Sequence, residues 1–373
     1  MPQRREPPAR RYNREAMEFG ILGLGLAGKT TLFSLLTGHH VAVAPGKRES
    51  HVGVAHVPDG RLDRLATLFA PRKPVTATVR FVDVPALARG SGSSLNLPEL
   101  RTVDGLAAVV RGFTSPTVPH PEGSVAPARD LELLETELLL ADLTVAGNRL
   151  HRLDAELKKH QPPDLVAERG VLERCRTQLD AGRPLRAADL SADDRQHLKG
   201  FGLLTLKPML AVLNADESAA ADLGEALTGS GLTAWQGRPG LAACAVCATL
   251  EEEIALLEPA DQTAFLAELG LPDRAVDRLL RAAYELLGLI TFFTVGDDEV
   301  RAWSVPAGTH AVHAAGAVHS DFERGFIRAE VVPLQELVAA GSFAACRTHG
   351  TLRLEGRDYT VRDGDVITFR FNV

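Results

Sequence analysis

A short stretch that reads as a buried strand, residues 18–22, passes straight into Gly23-Leu-Gly-Leu-Ala-Gly28-Lys29-Thr30, and a helix-forming stretch over 29–37 follows before Gly38 stops it. A strand, a glycine loop and a helix in that order aim backbone N–H groups at one spot, which becomes a seat for an anion. The spacing GxxxxGK[ST] makes Gly23, Gly25, Leu26, Ala27, Gly28, Lys29, Thr30 and Thr31 candidate nucleotide-binding residues. Lys29 neutralises the phosphates and Thr30 ligates Mg2+. The same residues also satisfy GxGxxG, the dinucleotide fingerprint. That fold has no need of Lys-Thr after its third glycine, and it wants an acid ending the second strand, whereas Glu49 sits in a loop. Asp83 ends the apolar run 79–82, where a phosphate-loop protein places its metal-side aspartate. The phosphate loop is therefore the preferred reading, with Thr30 and Asp83 as the metal pair.

Strand signals at 51–57, 76–84 and 106–113 alternate with a helical stretch at 61–69, which means an α/β layer fold with a mostly parallel sheet. The pattern changes at 128. Leu139, Leu143, Ala146, Leu150, Leu153 and Leu157 recur at spacings of four and three, and 165–179 can return as a partner helix after Pro162-Pro163. Strand patterns resume at 208–214 and 241–248, helices follow over 251–287, and 289–373 is again β-rich. The expected parts are a basic leader (1–16), a nucleotide domain (17–127 and 201–287), an inserted antiparallel helical arm (128–200) and a small α+β domain (288–373). Met17 is an alternative start.

A net charge of −7 argues against a broad nucleic-acid-coating surface, and no DNA partner is expected. Cys175, Cys244, Cys247 and Cys346 are too scattered for a disulfide framework. Cys244 and Cys247 form a CxxC inside an apolar run, and they read as buried strand cysteines. No apolar stretch approaches a membrane span.

Further motifs carry a resemblance: residues 57–63 (VPDGRLD), 201–208 (FGLLTLKP), 300–303 (VRAW), 319–331 (HSDFERGFIRAEV) and 369–373 (FRFNV). In this order and spacing the sequence resembles the YchF/Obg-like ATPase family of the translation-factor class. The resemblance implies a C-terminal TGS-type domain, association with ribosomes, a cytoplasmic location, and ATP in preference to GTP. GTPases read guanine with the carboxylate of NKxD. Here the segment is Asn214-Ala-Asp-Glu217, similar to the family's NxxE form, with Ala215 in place of the lysine stem. Asn214, Ala215 and Glu217 are thus expected at the base, with Asp216 able to reach guanine after a small shift. Cys247-Ala248 matches the loop whose backbone touches the base.

Departures from the family cluster at the γ-phosphate. Leu26 replaces an asparagine that helps to hold potassium, and Lys47 replaces the switch threonine. DxxG has become Asp83-Val-Pro-Ala86, the switch around 91–98 is shortened, and Ala108 replaces a histidine proposed to assist hydrolysis. The expectation is an ATP-binding (alternatively GTP-binding) regulator with weak hydrolysis and no assigned catalytic residue. A competent ATPase or GTPase, and an adaptor with structural nucleotide, remain alternatives. In 289–373 acids outnumber arginines and lysine is absent, so a strong grip on phosphate backbones is not expected. Arg324, Arg328, Phe322 and Phe326 could make a local contact, although Phe322 and Phe326 read as core. His310, His313 and His319 are read as lacking carboxylate partners, which argues against a metal there.

Overall fold

The computed structural model describes residues 17–38, 50–87, 98–296 and 298–372. The basic leader, Lys47, Glu49 and the shortened switch at 91–97 lie outside the described residues.

The predicted strands and helices are present, with β3 and α3 in addition: β1 (Met17–Leu22), α1 (Lys29–Thr37), β2 (His51–His56), α2 (Gly60–Phe69), β3 (Lys73–Val75), β4 (Thr78–Asp83), α3 (Pro98–Thr102) and β5 (Gly105–Gly112). Two long helices follow, α4 (Pro127–Leu157) and α5 (Pro163–Asp180), each opened by a proline in its first turn. Proline suits that place because its missing N–H has no intrahelical partner there. Next come α6 (Ala192–Leu198), β6 (Met209–Ala215), α7 (Leu223–Gly229) and β7 (Leu241–Val246). The first sheet has the order β2-β4-β1-β5-β6-β7, and β1, β5, β6 and β7 pair in parallel. Strand β5 is buried at all but its last position, as expected of a strand covered on both faces.

The leucine seam packs against its own partner helix. Leu139, Ala146, Leu150 and Leu153 share one buried cluster with Val171, Leu172, Cys175 and Leu179 of α5. Ion pairs Arg149–Glu168 (2.6 Å) and Arg169–Asp154 (2.8 Å) cross the pair and fix its antiparallel direction. Midway along α4, the fully buried Asp142 accepts hydrogen bonds from Leu204 N (2.8 Å), Thr205 N (2.7 Å) and Thr205 Oγ1 (2.8 Å). The FGLLTLKP segment is therefore a clamp on the long helix.

Helices α8 (Ala248–Ala255), α9 (Pro259–Glu268) and α10 (Ala275–Leu286) lead to β8 (Leu289–Val295), β9 (Glu299–Pro306), α11 (Ala311–Val318), α12 (Ser320–Arg324), β10 (Phe326–Pro333), α13 (Leu334–Ala340), α14 (Phe343–His349), β11 (Arg353–Glu355) and β12 (Asp365–Phe371). The second sheet has the order β11-β10-β12-β8-β9-β3. Its last strand is an addition from far upstream, since β3 pairs in parallel with β9. Accordingly residues 54–80 and 283–373 form one compact unit, and residues 18–53 and 81–282 another. Sequence reading had kept 54–80 with the phosphate loop. Within the C-terminal unit Arg61 Nη1 reaches Asp363 Oδ2 at 2.6 Å, and the Phe69 and Phe343 rings lie 5.6 Å apart.

Two expectations for this unit need revision. His313 Nδ1 lies 2.9 Å from Glu323 Oε1, and His319 Nδ1 lies 3.4 Å from Asp321 Oδ2, so both have carboxylate company from α12. The chain turn into α12 supplies it. No group of three metal-ligating residues occurs among the described residues. Phe326 is core, whereas Phe322 is only half-buried and stacks on Phe371 with ring centroids 3.9 Å apart.

Candidate nucleotide site

The glycines of the loop are set by close approach. A Cβ on Gly23 would stand 2.5 Å from Val109 O, and one on Gly28 would stand 2.3 Å from Asn214 Nδ2. Gly28 also caps α1 at φ 89°, where L side chains are strained. Leu26 takes φ 63° without being glycine, and it is 55% exposed. Asparagine adopts this left-handed region far more readily. Residues 29–31 open α1, and their N–H groups have no carbonyl one turn back, so they remain for an anion.

Lys29 folds over the loop and donates from Nζ to Leu24 O at 3.1 Å. Burial depresses its pKa, and the nearby Asp83 charge opposes that. Thr30 Oγ1 donates to Asp83 Oδ2 at 2.9 Å. Asp83 is 4% exposed, and its Oδ1 is buried without a hydrogen-bond partner. Burial raises its pKa, while the Thr30 hydrogen bond and Lys29 pull it down. A carboxylate oxygen left open beside a threonine hydroxyl, at the start of the phosphate seat, is a donor set that suits Mg2+. Thr30 and Asp83 are the residues that would hold it.

Asn214, at the end of β6, joins the site together. Its Nδ2 donates to Ala27 O at 3.2 Å, and its Oδ1 accepts from Ala248 N at 3.1 Å. One side chain thus links the phosphate loop to the loop after β7. Cys247 precedes α8 as its N-terminal cap and is buried, and burial raises its thiol pKa. It is a cap rather than a strand residue. Ala215 lies in the apolar cluster with Leu213, so it offers a base its backbone and not its side chain. Glu217 is exposed where a 3-10 helix begins.

Asp216 is not loose. Its Oδ2 accepts from Thr114 N at 3.2 Å, and its Oδ1 accepts from Ser218 N at 3.2 Å and Ser218 Oγ at 2.9 Å. These bonds, the Thr114 amide first, lower its pKa. The segment after Asp83 runs on beside β1: Val84 N donates to Ile21 O at 3.3 Å and Leu87 N to Gly23 O at 3.0 Å. Ala108 is fully buried in β5, opposite Leu22 and Ala211 and inside the apolar cluster. An imidazole there would enter the core, so position 108 cannot carry the hydrolysis argument that the sequence suggested.

Comparison with known proteins decides the family. The chain is 38% identical over 366 residues to the protein of Bacillus subtilis (strain 168) named Ribosome-binding ATPase YchF, covering 96% of this chain and 100% of that protein. The chain belongs to the YchF family. The Escherichia coli O157:H7 protein of the same name is 38% identical, with 95% and 99% covered. Obg-like ATPase 1 of rice (Oryza sativa subsp. japonica) is 32% identical, with 96% and 92% covered. Residues 289–372 match the family YchF-GTPase_C, described as a protein of unknown function. The solved YchF GTPase of Schizosaccharomyces pombe superposes with a TM-score of 0.79 at 25% identity, covering 95% of this chain and 97% of that one.

In this YchF chain the structure brings together the phosphate loop, Thr30, Asp83, Asn214 and Ala248. Sequence reasoning missed the Thr114 amide, which holds Asp216 from 102 positions away. No local pattern announces such a contact. The Ser218 half of that lock was readable, because Asp-x-Ser is a turn in which the aspartate accepts from the backbone two residues on.

Proposed function

We propose that this YchF chain binds ATP with Mg2+ and acts at the ribosome, in the cytoplasm, as a nucleotide-dependent regulator. The observation that carries the nucleotide reading is the Asn214 tie between Ala27 and Ala248, with Lys29, Thr30 and Asp83 in place beneath it. The ribosome as partner rests on the printed names of the bacterial relatives. The TGS-type domain at 288–373 is the part assigned to contacts of that kind.

ATP is chosen over GTP because the segment lacks the NKxD pattern and Asp216, the residue that could otherwise turn to guanine's two N–H donors, is held by Thr114 and Ser218. Adenine presents an acceptor on that edge and needs no carboxylate. Side-by-side titration with ATP and GTP at equal Mg2+ tests this, and tenfold tighter GTP binding overturns it. Pelleting with ribosomes, with and without ATP, tests the partner.

Hydrolysis is proposed to be slower than in the relatives and indifferent to potassium. Leu26 presents an apolar, exposed side chain at the loop, and Pro85 brings no N–H to the turn after Asp83. The readout is single-turnover hydrolysis of radiolabelled ATP with potassium or sodium as the monovalent cation. Brisk turnover with a clear potassium effect refutes it.

A further inference from the structure

A cavity of about 720 Å³ opens between α4, α5, the turn at 182–190 and the segment leading into β7. It is remote from the phosphate loop along the sheet. The cavity touches Leu241, where β7 begins, whereas Ala248 follows the other end of that strand. Six residues of strand separate the two ends, which is roughly 20 Å.

Arg186 lines this cavity. Its side chain is 2% exposed and pairs through Nη1 with Glu135, and its Nε donates to Lys207 O at 3.0 Å. Its Nη2 is buried with no hydrogen-bond partner. Water within reach would normally satisfy such a donor, and an unmet one costs stability. The residue is firmly held, because Arg186 N donates to Thr205 O at 2.8 Å and Thr205 is itself clamped by Asp142. Gly240 packs against the Arg186 stem, where a Cβ would lie 3.5 Å from Arg186 Cβ and Cδ.

Two positions before Gly240, Arg238 also lines the cavity, with its guanidinium 4.4 Å from the centre of the Trp235 ring. A guanidinium held over an indole can still offer N–H donors to a ligand, and less rotamer entropy remains to be lost on binding. Arg183 lines the same cavity, and neither it nor Arg238 makes an ion pair among the described residues. Glu132 and Asp189 are at the wall as well, so the lining carries charge of both signs.

We infer that this cavity is a second ligand site, for a small molecule bearing one oxyanion group, a carboxylate or a phosphate, received by Arg238 and Arg183 with Arg186 at the floor. The ligand is separate from the nucleotide. Trp235 reports on it directly.

The test uses the full chain with Trp303→Phe, so that Trp235 is the remaining tryptophan, and Lys29→Ala, so that phosphate does not enter the nucleotide loop. Its fluorescence is titrated with inorganic phosphate in one arm and acetate in the other. A saturable change with either probe is expected, and which probe gives it assigns the group. Arg238→Gln and Arg183→Gln, both at exposed positions, should each weaken binding by about tenfold, the usual weight of one charge-assisted hydrogen bond. No saturable change with either probe overturns the inference. So does binding that is unchanged in both variants, since the signal would then come from elsewhere.

Discussion

Replacing Asn214 by alanine removes two hydrogen bonds at once. Ala27 O and Ala248 N would lose their partner, and those residues are only 2% and 5% exposed. A buried polar group left unmet costs about 1–3 kcal/mol, so Asn214→Ala should cost about 2–4 kcal/mol of unfolding free energy. Gly28→Ala is damaged in two ways: its new Cβ would stand 2.3 Å from Asn214 Nδ2, and it would carry φ 89°. The second effect alone costs about 1–2 kcal/mol for an L residue. In the Asn214→Ala background the clash disappears and only the backbone cost remains. The double variant should therefore be less destabilised than the sum of the single ones by at least about 1 kcal/mol, beyond the ~0.5 kcal/mol scatter of independent sites. Equilibrium urea unfolding read by Trp235, with Trp303→Phe as the common background, measures all four corners of the cycle. Additivity within that scatter would refute the reasoning, because it would mean that the loop yields somewhere other than at Asn214.

Three further outcomes are expected. Leu26→Asn should stabilise the chain by about 1 kcal/mol in thermal unfolding, since it relieves a left-handed leucine, and a loss of stability would show that the leucine is engaged. Burial depresses the Lys29 pKa, and bound triphosphate restores the ammonium, so the complex holds a proton that the free protein has begun to lose. ATP affinity should then fall as pH rises through that lowered value, on the neutral side of the usual lysine range; calorimetry in buffers of different ionisation enthalpy should show proton uptake there, and its absence contradicts the burial argument. Asp142→Ala should cost about 3–5 kcal/mol, because it strands the donors of Leu204 and Thr205 and the nearby Arg101. Chemical denaturation measures it, and a cost under about 1 kcal/mol would mean that water replaces the carboxylate.

What was legible in the sequence was local. The glycine loop carries its own geometry, and the seam from Leu139 to Leu153 shows the helical repeat directly. Side-chain direction was harder. Position 108 could be aligned from the flanking valines, but β5 is buried on both faces and its sequence has no alternation to say where a side chain points. Asn214 was read as a base contact, and its role as a tie depends on Ala27, 187 positions away. Strand β3 was invisible because three residues with a central proline give no periodic signal, and its partner β9 lies more than two hundred positions downstream.

That pairing of β3 with β9 imposes an order on biosynthesis. Residues 54–80 leave the ribosome early, yet the strand and helices that complete their unit begin at 283. At ordinary translation speeds, about 5–20 residues per second, the early segment waits on the order of 10–40 seconds for its partners. Over that interval Phe69 has no Phe343 to pack on, Arg61 has no Asp363, and β3 has no neighbouring strand. Residues 18–53 and 81–282, by contrast, have emerged in full before the last ninety or so arrive. A nascent chain of this protein therefore carries its nucleotide loop in a nearly finished setting while α2 and β3 still lack their downstream partners, and a pause or truncation near 283 would leave β3 permanently without its sheet.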